Sequence, residues 1–287
     1  PVMFVAQRDS PAELDRAYGE FSPLVPDLRR LTPEEVHAYV PAIPPGATAG
    51  ALLEPGAFDL DVHAILTSYS TSVRKHDGRI ITGEAALEIT RTGSSWSIRT
   101  PHRRIEADVI VNAAGPWGDE VAVAAGVRPL GLTPLKRSVF TFDPGVPTTD
   151  WPMVVDIGER WYFKPEGPHI LGSAASEIPE KPGDAHPDEI DVALGIERIN
   201  QATTLAIRSV KNQWAGLRTF TRDRIPAVGR DPEIPNFFWL VGQGGYGIHT
   251  SPGIGALSAG LLLDGEVPEI VADHGVTAEM FDPGRFR

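Results

Sequence analysis

Residues Phe237 to Val241 form an unbroken apolar run, and the chain then enters Gly242-Gln243-Gly244-Gly245-Tyr246-Gly247 and a helix of small residues ending near Leu263. A short aromatic and branched run bounded by glycine reads as a strand buried on both faces, which a parallel sheet requires. Glycines allow the following backbone to reach positive φ and to approach a ligand closely. The helix that follows starts with free N–H groups and a partial positive charge, suited to an electron-rich oxygen. This segment reads as a strand, a glycine turn and a helix in succession. It leaves two readings of the turn itself, ligand contact or structural turn.

The spacing Gly242-x-Gly244-x-x-Gly247 matches the dinucleotide fingerprint, and Asp264 stands about 20 residues beyond Gly244, where a ribose-binding acid would sit. The fingerprint needs a second parallel strand before that acid. Between Gly247 and Asp264 there is one helix and no strand, so a nicotinamide site is the weakest reading of this segment.

Other elements are marked by their ends. Ser10-Pro11-Ala12-Glu13 and Thr32-Pro33-Glu34-Glu35 both read as capping boxes that start helices. Val40 to Gly50 reads as loop, and His63 to Arg74 carries Leu66, Tyr69 and Val73 at helical spacing. Ile80-Ile81-Thr82 is expected to be a strand. Leu87 to Thr92 and Trp96 to Thr100 flank Gly93-Ser94-Ser95 as a hairpin. Asp108 to Asn112 is a strand ending in Ala113-Ala114-Gly115-Pro116, with a helix from Trp117 to Ala125. From Ser138 onward, β-like runs at Val139–Phe142, Trp161–Lys164, His169–Leu171 and Trp214–Phe220 suggest an antiparallel sheet, interrupted by a helix over about Glu189 to Ala206.

Composition removes several function classes. The net charge of −12, from 26 basic and 38 acidic residues, argues against a general nucleic-acid or anionic-membrane surface. The absence of cysteine removes disulfides, thiolate metal sites, iron–sulfur clusters, a cysteine nucleophile and a cysteinyl cofactor link. No metal site is expected from the scattered histidines. There is no apolar run of the ~18 residues that crosses a membrane and no signal-peptide pattern at the first residues, so the expectation is a cytoplasmic protein without a membrane span.

Four stretches together resemble the FAD-dependent glycine/D-amino acid oxidase (DAO) superfamily. They are Ala51 to Leu60, Val109 to Trp117, Trp214-Ala215-Gly216-Leu217-Arg218 and Val241 to Ser251. In that family they look like the loop before a cofactor-domain helix, the strand and glycine turn beneath the flavin, the strand bearing a substrate-carboxylate arginine, and the strand–turn–helix over the flavin pyrimidine edge. Trp161-Tyr162-Phe163-Lys164-Pro165, Ala202-Thr203-Thr204 and Gly244 to Ile248 look closest to the D-arginine/D-amino acid dehydrogenase branch.

The resemblance implies an α/β fold with α+β elements: an FAD/NAD(P)-binding-type domain remnant plus an antiparallel-sheet substrate domain. The substrate domain is expected over 1–59 and 132–224, the incomplete FAD-binding domain over 60–131 and 225–265, and a C-terminal tail over 266–287. It implies FAD as cofactor and oxidation of a D-amino acid or glycine-like amine to an imine and then a 2-oxo acid. The family's opening strand, G-x-G-x-x-G turn and helix are not found before Ala49, so Pro1 is expected to fall inside the family's chain. A missing N-terminal segment or a partner chain would then supply the ADP-binding half. The alternative is a non-catalytic module that binds a substrate or partner.

On the same resemblance, Arg218 and Tyr162 would clamp the substrate carboxylate, with Arg137 as a second cation and Lys136 as its rival. Gly115, Pro116 and Trp117 would pack near the flavin. Gly244, Gly245, Tyr246, Gly247, Ile248, His249 and Thr250 would line its O2 edge and the substrate. Gly83-Glu84-Ala85 is expected at the adenine. Each has a plainer reading: a surface ion pair for the arginines, core packing for Tyr162, an ordinary hydrogen bond for His249.

Overall fold

A computed structural model describes all residues, 1–287. In chain order it begins with β1 (Val2–Gln7), α1 (Pro11–Phe21), β2 (Arg29–Leu31), α2 (Pro33–Tyr39), β3 (Thr48–Glu54) and α3 (Val62–Lys75). The short strands β4 (Glu88–Thr92), β5 (Ser95–Arg99), β6 (Arg104–Ala107) and β7 (Ile110–Asn112) lead into α4 (Gly118–Ala124). Then come β8 (Thr133–Phe142), β9 (Met153–Asp156), β10 (Tyr162–Glu166), β11 (His169–Ser173), β12 (Ile178–Pro179) and α5 (Glu189–Ala202). The last part comprises β13 (Asn212–Phe220), β14 (Ala227–Arg230), β15 (Phe237–Val241), α6 (Gly247–Leu263), α7 (Glu269–Ala272) and α8 (Ala278–Phe281).

Two compact units divide the chain. The first holds 1–59, 136–178 and 184–217; the second holds 60–135, 179–183 and 218–287. The chain changes unit inside β8 and inside β13, not at the turns expected near 132 and 224. A ten-residue strand such as β8 carries the chain onward without a connecting loop.

The first unit is built on a sheet ordered β12-β8-β11-β10-β9-β1-β3-β2, with β13 paired to β8. β1 lies antiparallel to β3, from Val2 opposite Glu54 to Ala6 opposite Gly50, and parallel to β9, from Val2 beside Met153 to Val5 beside Asp156. Alternation along β1 sends Met3 and Val5 into a core with Phe140, Phe142, Val154, Phe163 and Ile170, closed by α2 and α5. Phe4 and Ala6 point the other way, against Leu14 and Ala17 of α1. Gly195 explains how closely α5 seats: a Cβ there would stand 2.8 Å from the Phe140 ring and 2.9 Å from the Ala174 nitrogen. That contact answers the roughly 1 kcal/mol that glycine costs in a helix interior.

The second unit contains an antiparallel sheet, β4-β5-β6, and a sheet ordered β14-β15-β7. Trp96, Phe237 and Trp239 fill one core with Ala122 and Leu130; Phe238 and Val228 fill the other with Leu257 of α6 and Val271 of α7. β15 is thus buried on both faces, as its apolar run required. No strand follows α6, and without that second strand the nicotinamide reading has no βαβ unit.

Several expectations are corrected. Thr32 makes the full capping box with Glu35, whereas Ser10 makes no side-chain cap. Ala51 to Glu54 belongs to β3, not to a loop, because Ala51, Leu52 and Leu53 are buried between β1 and β2. Ile80-Ile81-Thr82 finds no pairing partner and is not a strand. α5 stops at Ala202, where Thr203 turns extended and its hydroxyl bonds the Ile199 carbonyl.

Residues 266–287 are no free tail, because two arginines near the end pin them to the second unit. Arg285 forks onto Asp223 at 2.8 Å and onto the carbonyls of Ile225 and Pro226. Its hydrogen bond holds the Asp223 carboxyl down at about 2, with the Ile225 N–H and Thr221 hydroxyl adding to it. Arg287 pairs with Asp231, which is 1% exposed. Burial pushes the Asp231 carboxyl up, but hydrogen bonds from Trp239, Arg287 and two backbone N–H groups outweigh it and hold it below the ordinary range.

Candidate functional site

Because β7 and β15 run parallel and in register, from Ile110 beside Phe237 to Asn112 beside Trp239, both end at the same sheet edge. The turns over 113–117 and 242–247 leave from that edge. Crevices at the carboxyl ends of parallel strands are where α/β sheets bind ligands. Asn112, 1% exposed, shapes the first turn: its side-chain amide donates to the Gly118 carbonyl at 2.8 Å, and its oxygen accepts from the Ala114 N–H. Gly115 has φ +55, and a Cβ there would meet nothing within 4 Å. Gly115, Pro116 and Trp117 form a short 3-10 turn, with Trp117 42% exposed.

The second turn is moulded by β13. Its Phe220 bridges to Gln243, and the Gly244 N–H donates to the Thr219 carbonyl at 2.9 Å. Gly244 has φ +56, and a Cβ there would overlap the Phe220 ring. The guanidinium of Arg218 lies over Gly245, so near that a Cβ would stand 3.0 Å from Nη1. A side chain at 245 would press on the guanidinium and shift it by a few tenths of an ångström. Arg218 is half-buried and forms no ion pair or hydrogen bond within the chain. The planar fork of a guanidinium left without partners in the chain matches the geometry of a carboxylate.

α6 starts directly behind, at Gly247. Tyr246 at its N-cap offers no side-chain cap, so the N–H groups of the first turn remain available. Ile248 is 45% exposed, and the His249 ring packs edge-on to Tyr246 at 5.7 Å. Thr250 turns its hydroxyl back onto the Tyr246 carbonyl at 2.8 Å.

The second unit thus gathers Arg218, Gly115, Pro116, Trp117 and all of Gly244 to Thr250. Tyr162 and Arg137 belong to the first unit. Tyr162 opens β10 in register with Ser173 and Val155, on the face opposite buried Phe163, and its hydroxyl has no partner in the chain. Two residues on, Lys164 shares that face and pairs with Asp59 at 2.9 Å and Glu166 at 3.1 Å. Burial lowers its pKa, and the two carboxylates more than restore it. Arg137 is committed elsewhere: Nη2 donates to the Ala175 carbonyl at 2.9 Å, Nε to Ser176 at 3.0 Å, and Glu177 stands 3.6 Å away. These partners make it a loop clamp, because a guanidinium spent on carbonyls has few donors left for a substrate. Glu84 is likewise bound to Arg103 at 2.7 Å and to the Thr100 hydroxyl.

Asn112 and Phe220 were not singled out in the sequence. The available signals were a polar residue ending an apolar strand and an aromatic two places beyond Arg218.

The residues present fit the flavin ring end of FAD: two turns at one parallel edge, helix-end N–H groups at the start of α6, and open space at Gly115, where a Cβ would meet nothing within 4 Å. For the ADP end, the one strand–G-x-G-x-x-G–helix of the chain, β15 to α6, is followed by no second parallel strand and so builds no βαβ unit. A family model described as "FAD dependent oxidoreductase" (DAO) matches residues 1–261. The chain is 28% identical over 230 residues to the FAD-dependent oxidoreductase domain-containing protein 1 of Xenopus laevis, covering 71% of this chain and 44% of that protein. It is 25% identical over 218 residues to glycine oxidase of Bacillus subtilis, covering 72% and 56%. The chain therefore spans about half the length of these relatives. Among solved structures, L-proline dehydrogenase from P. horikoshii superposes with a TM-score of 0.84 at 20% identity, over 99% of this chain and 76% of that one. With the family model matched over most of its length, the chain belongs to the DAO family of FAD-dependent oxidoreductases.

Proposed function

We propose that this chain carries the flavin-ring and substrate parts of an enzyme that oxidises an amine next to a carboxylate. The observation that carries the reading is Arg218, half-buried, without a partner and stacked over Gly245 at the entrance to α6. Two relatives named above, glycine oxidase and L-proline dehydrogenase, have amino acids in their names, which supports a carboxylate-bearing amine. The domain roles proposed are substrate binding over 1–59 and 132–224 and FAD binding over 60–131 and 225–265.

Arg218 takes the substrate carboxylate through two parallel N–H bonds; Tyr162, of the first unit, is proposed as a further carboxylate donor on the family resemblance alone. Fixing the carboxylate orients the α-carbon hydrogen, which is the chain's main contribution to rate. The free N–H groups of Gly247 to His249 would hold the pyrimidine edge of FAD and favour negative charge there. When bound, FAD accepts a hydride from the α-carbon, and the imine released hydrolyses to a 2-oxo acid. The amine proton leaves to water, as no side-chain base is placed beside Arg218.

The ADP half of FAD is held by a segment or partner outside these residues. Two features support this. The outer edge of β7 has no strand beside it, and α3 buries none of its residues while exposing Leu66, Tyr69 and Val73. No helix of the chain is long and apolar enough to cross a membrane; we place the enzyme in the cytoplasm. A D-amino acid is the proposed substrate, on the likeness of 161–165, 202–204 and 244–248 noted above.

The test is the visible spectrum of the purified protein with added FAD, followed by anaerobic reduction with D- and L-amino acids. Flavin bleaching by D-amino acids is expected. Failure to take up FAD, joined to amino-acid binding by calorimetry that Arg218→Ala abolishes, would instead support a non-catalytic binding module.

A further inference from the structure

In the first unit, the C-terminal end of β1 and the last turn of α5 enclose a cleft of about 300 Å³. Its polar walls are Gln7, Arg8, Asp9, Arg198 and Gln201, with Ala47 and Ala202 between them. It shares no residue with the site built on Arg218 and Tyr162. The volume falls at the small end of the range for ligand pockets.

The donors are partly spent and partly open. Arg198 uses Nη1 on the carbonyls of Arg160 at 2.6 Å and Ala174 at 3.1 Å, which fixes the guanidinium. Its Nε and Nη2 carry no bond within the chain, and Arg8 carries none at all. The acceptors are open as well. Asp9 makes no close ion pair, although its charge helps hold the Arg160 guanidinium protonated from a distance, and Gln7 and Gln201 spend only their amide nitrogens, on Asp156 and Glu197. The end of α5 adds carbonyls with partial negative charge. Arg8 and Arg198, neither of them in an ion pair, thus line the cleft together with Asp9, in a chain of net charge −12.

We infer that this cleft binds a small free amino acid. Its carboxylate would lie on Arg8 and Arg198 and its ammonium on Asp9, the Gln7 and Gln201 oxygens and the α5 carbonyl end. A simple anion would leave Asp9 facing it, and a simple cation would face two guanidinium groups; only a zwitterion satisfies both walls. The site is independent of the proposed oxidation and would let the protein register its amino-acid supply or a competing one.

The experiment is calorimetric titration of the full chain bearing Arg218→Ala, which removes the carboxylate receptor of the other site, with glycine, D-alanine, L-alanine and pyruvate. Saturable binding of at least one amino acid is expected. Arg8→Ala should weaken it roughly tenfold or more, the worth of a charge-assisted hydrogen bond. Asp9→Asn should weaken the amino acids and not pyruvate. Both residues are exposed, so the variants are expected to keep the parent melting temperature. No amino-acid binding in the Arg218→Ala protein, binding indifferent to Arg8→Ala and Asp9→Asn, or pyruvate binding as tight as alanine would each overturn the inference. Failure of flavin uptake would leave this result unchanged, so the two readings fail separately.

Discussion

Arg137 and Arg218 both stand on strands of the same sheet system, and on sequence each is a candidate for a substrate carboxylate. The structure gives them opposite surroundings. Arg137, only 13% exposed, meets two carbonyls of the 175–177 loop and the Glu177 carboxylate. That loop needs the support, since Ala175 sits at φ +55. Arg218 meets the backbone of Gly245 and no acceptor. The contrast teaches that an arginine's role is set by whether the fold has already spent its donors. One holds the protein together; the other is held ready.

That comparison can be broken by mutation. The largest effect on turnover belongs to Arg218→Ala in the flavin-loaded enzyme: kcat/KM should fall roughly 10²-fold or more, the cost of removing a charged hydrogen-bonded partner. The melting temperature should barely move. A variant that melts several degrees lower and keeps its kcat/KM would reverse the two roles. Next is Arg287→Ala, a purely structural arginine. It leaves Asp231 buried without its guanidinium and should cost about 3–5 kcal/mol in urea unfolding. Arg137→Ala should cost about 1.5–3 kcal/mol of stability and change kcat/KM only by a few fold. Equal damage to binding and stability would mean that it also reaches substrate.

Smaller tests concern the surface. Asp223 titrates at about 2 when folded and near the usual value of about 3.9 when unfolded. A depressed acid of this kind contributes above about pH 4 and loses its contribution as pH falls toward 2. Arg285→Ala should raise the Asp223 pKa toward the usual value in a carboxyl NMR titration. The least effect separates the two N-caps. Thr32→Ala should cost about 1 kcal/mol, and Ser10→Ala close to nothing, because only Thr32 bonds its helix.

Features set within a few residues were legible in the sequence. The helical spacing of Leu66, Tyr69 and Val73 located α3, Gly93 located the β4–β5 hairpin, and the apolar run into Gly242 located β15. What escaped depends on distant partners. Nothing local says that Val2 lies beside Met153, that Arg137 finds carbonyls 38 and 39 residues away, or that Arg287 reaches Asp231. Ser10 had the residues of a cap but not the backbone geometry, at φ −124 and ψ 45. The candidate site divides in the same way. Its glycine turns were visible, because glycine marks backbone that other residues strain to adopt. The availability of Arg218 was not visible, because it depends on acceptors being absent around it.

The chain passes between the two units five times, after 59, 135, 178, 183 and 217. A gene cut at any one position between 60 and 217 therefore separates each unit from part of itself. Neither half can be harvested as a continuous fragment by a protease or a cloning boundary, and a swap with a relative must exchange several segments at once. In such a chain inheritance acts on both units together, and new specificity comes by substitution within strands and turns more readily than by trading domains.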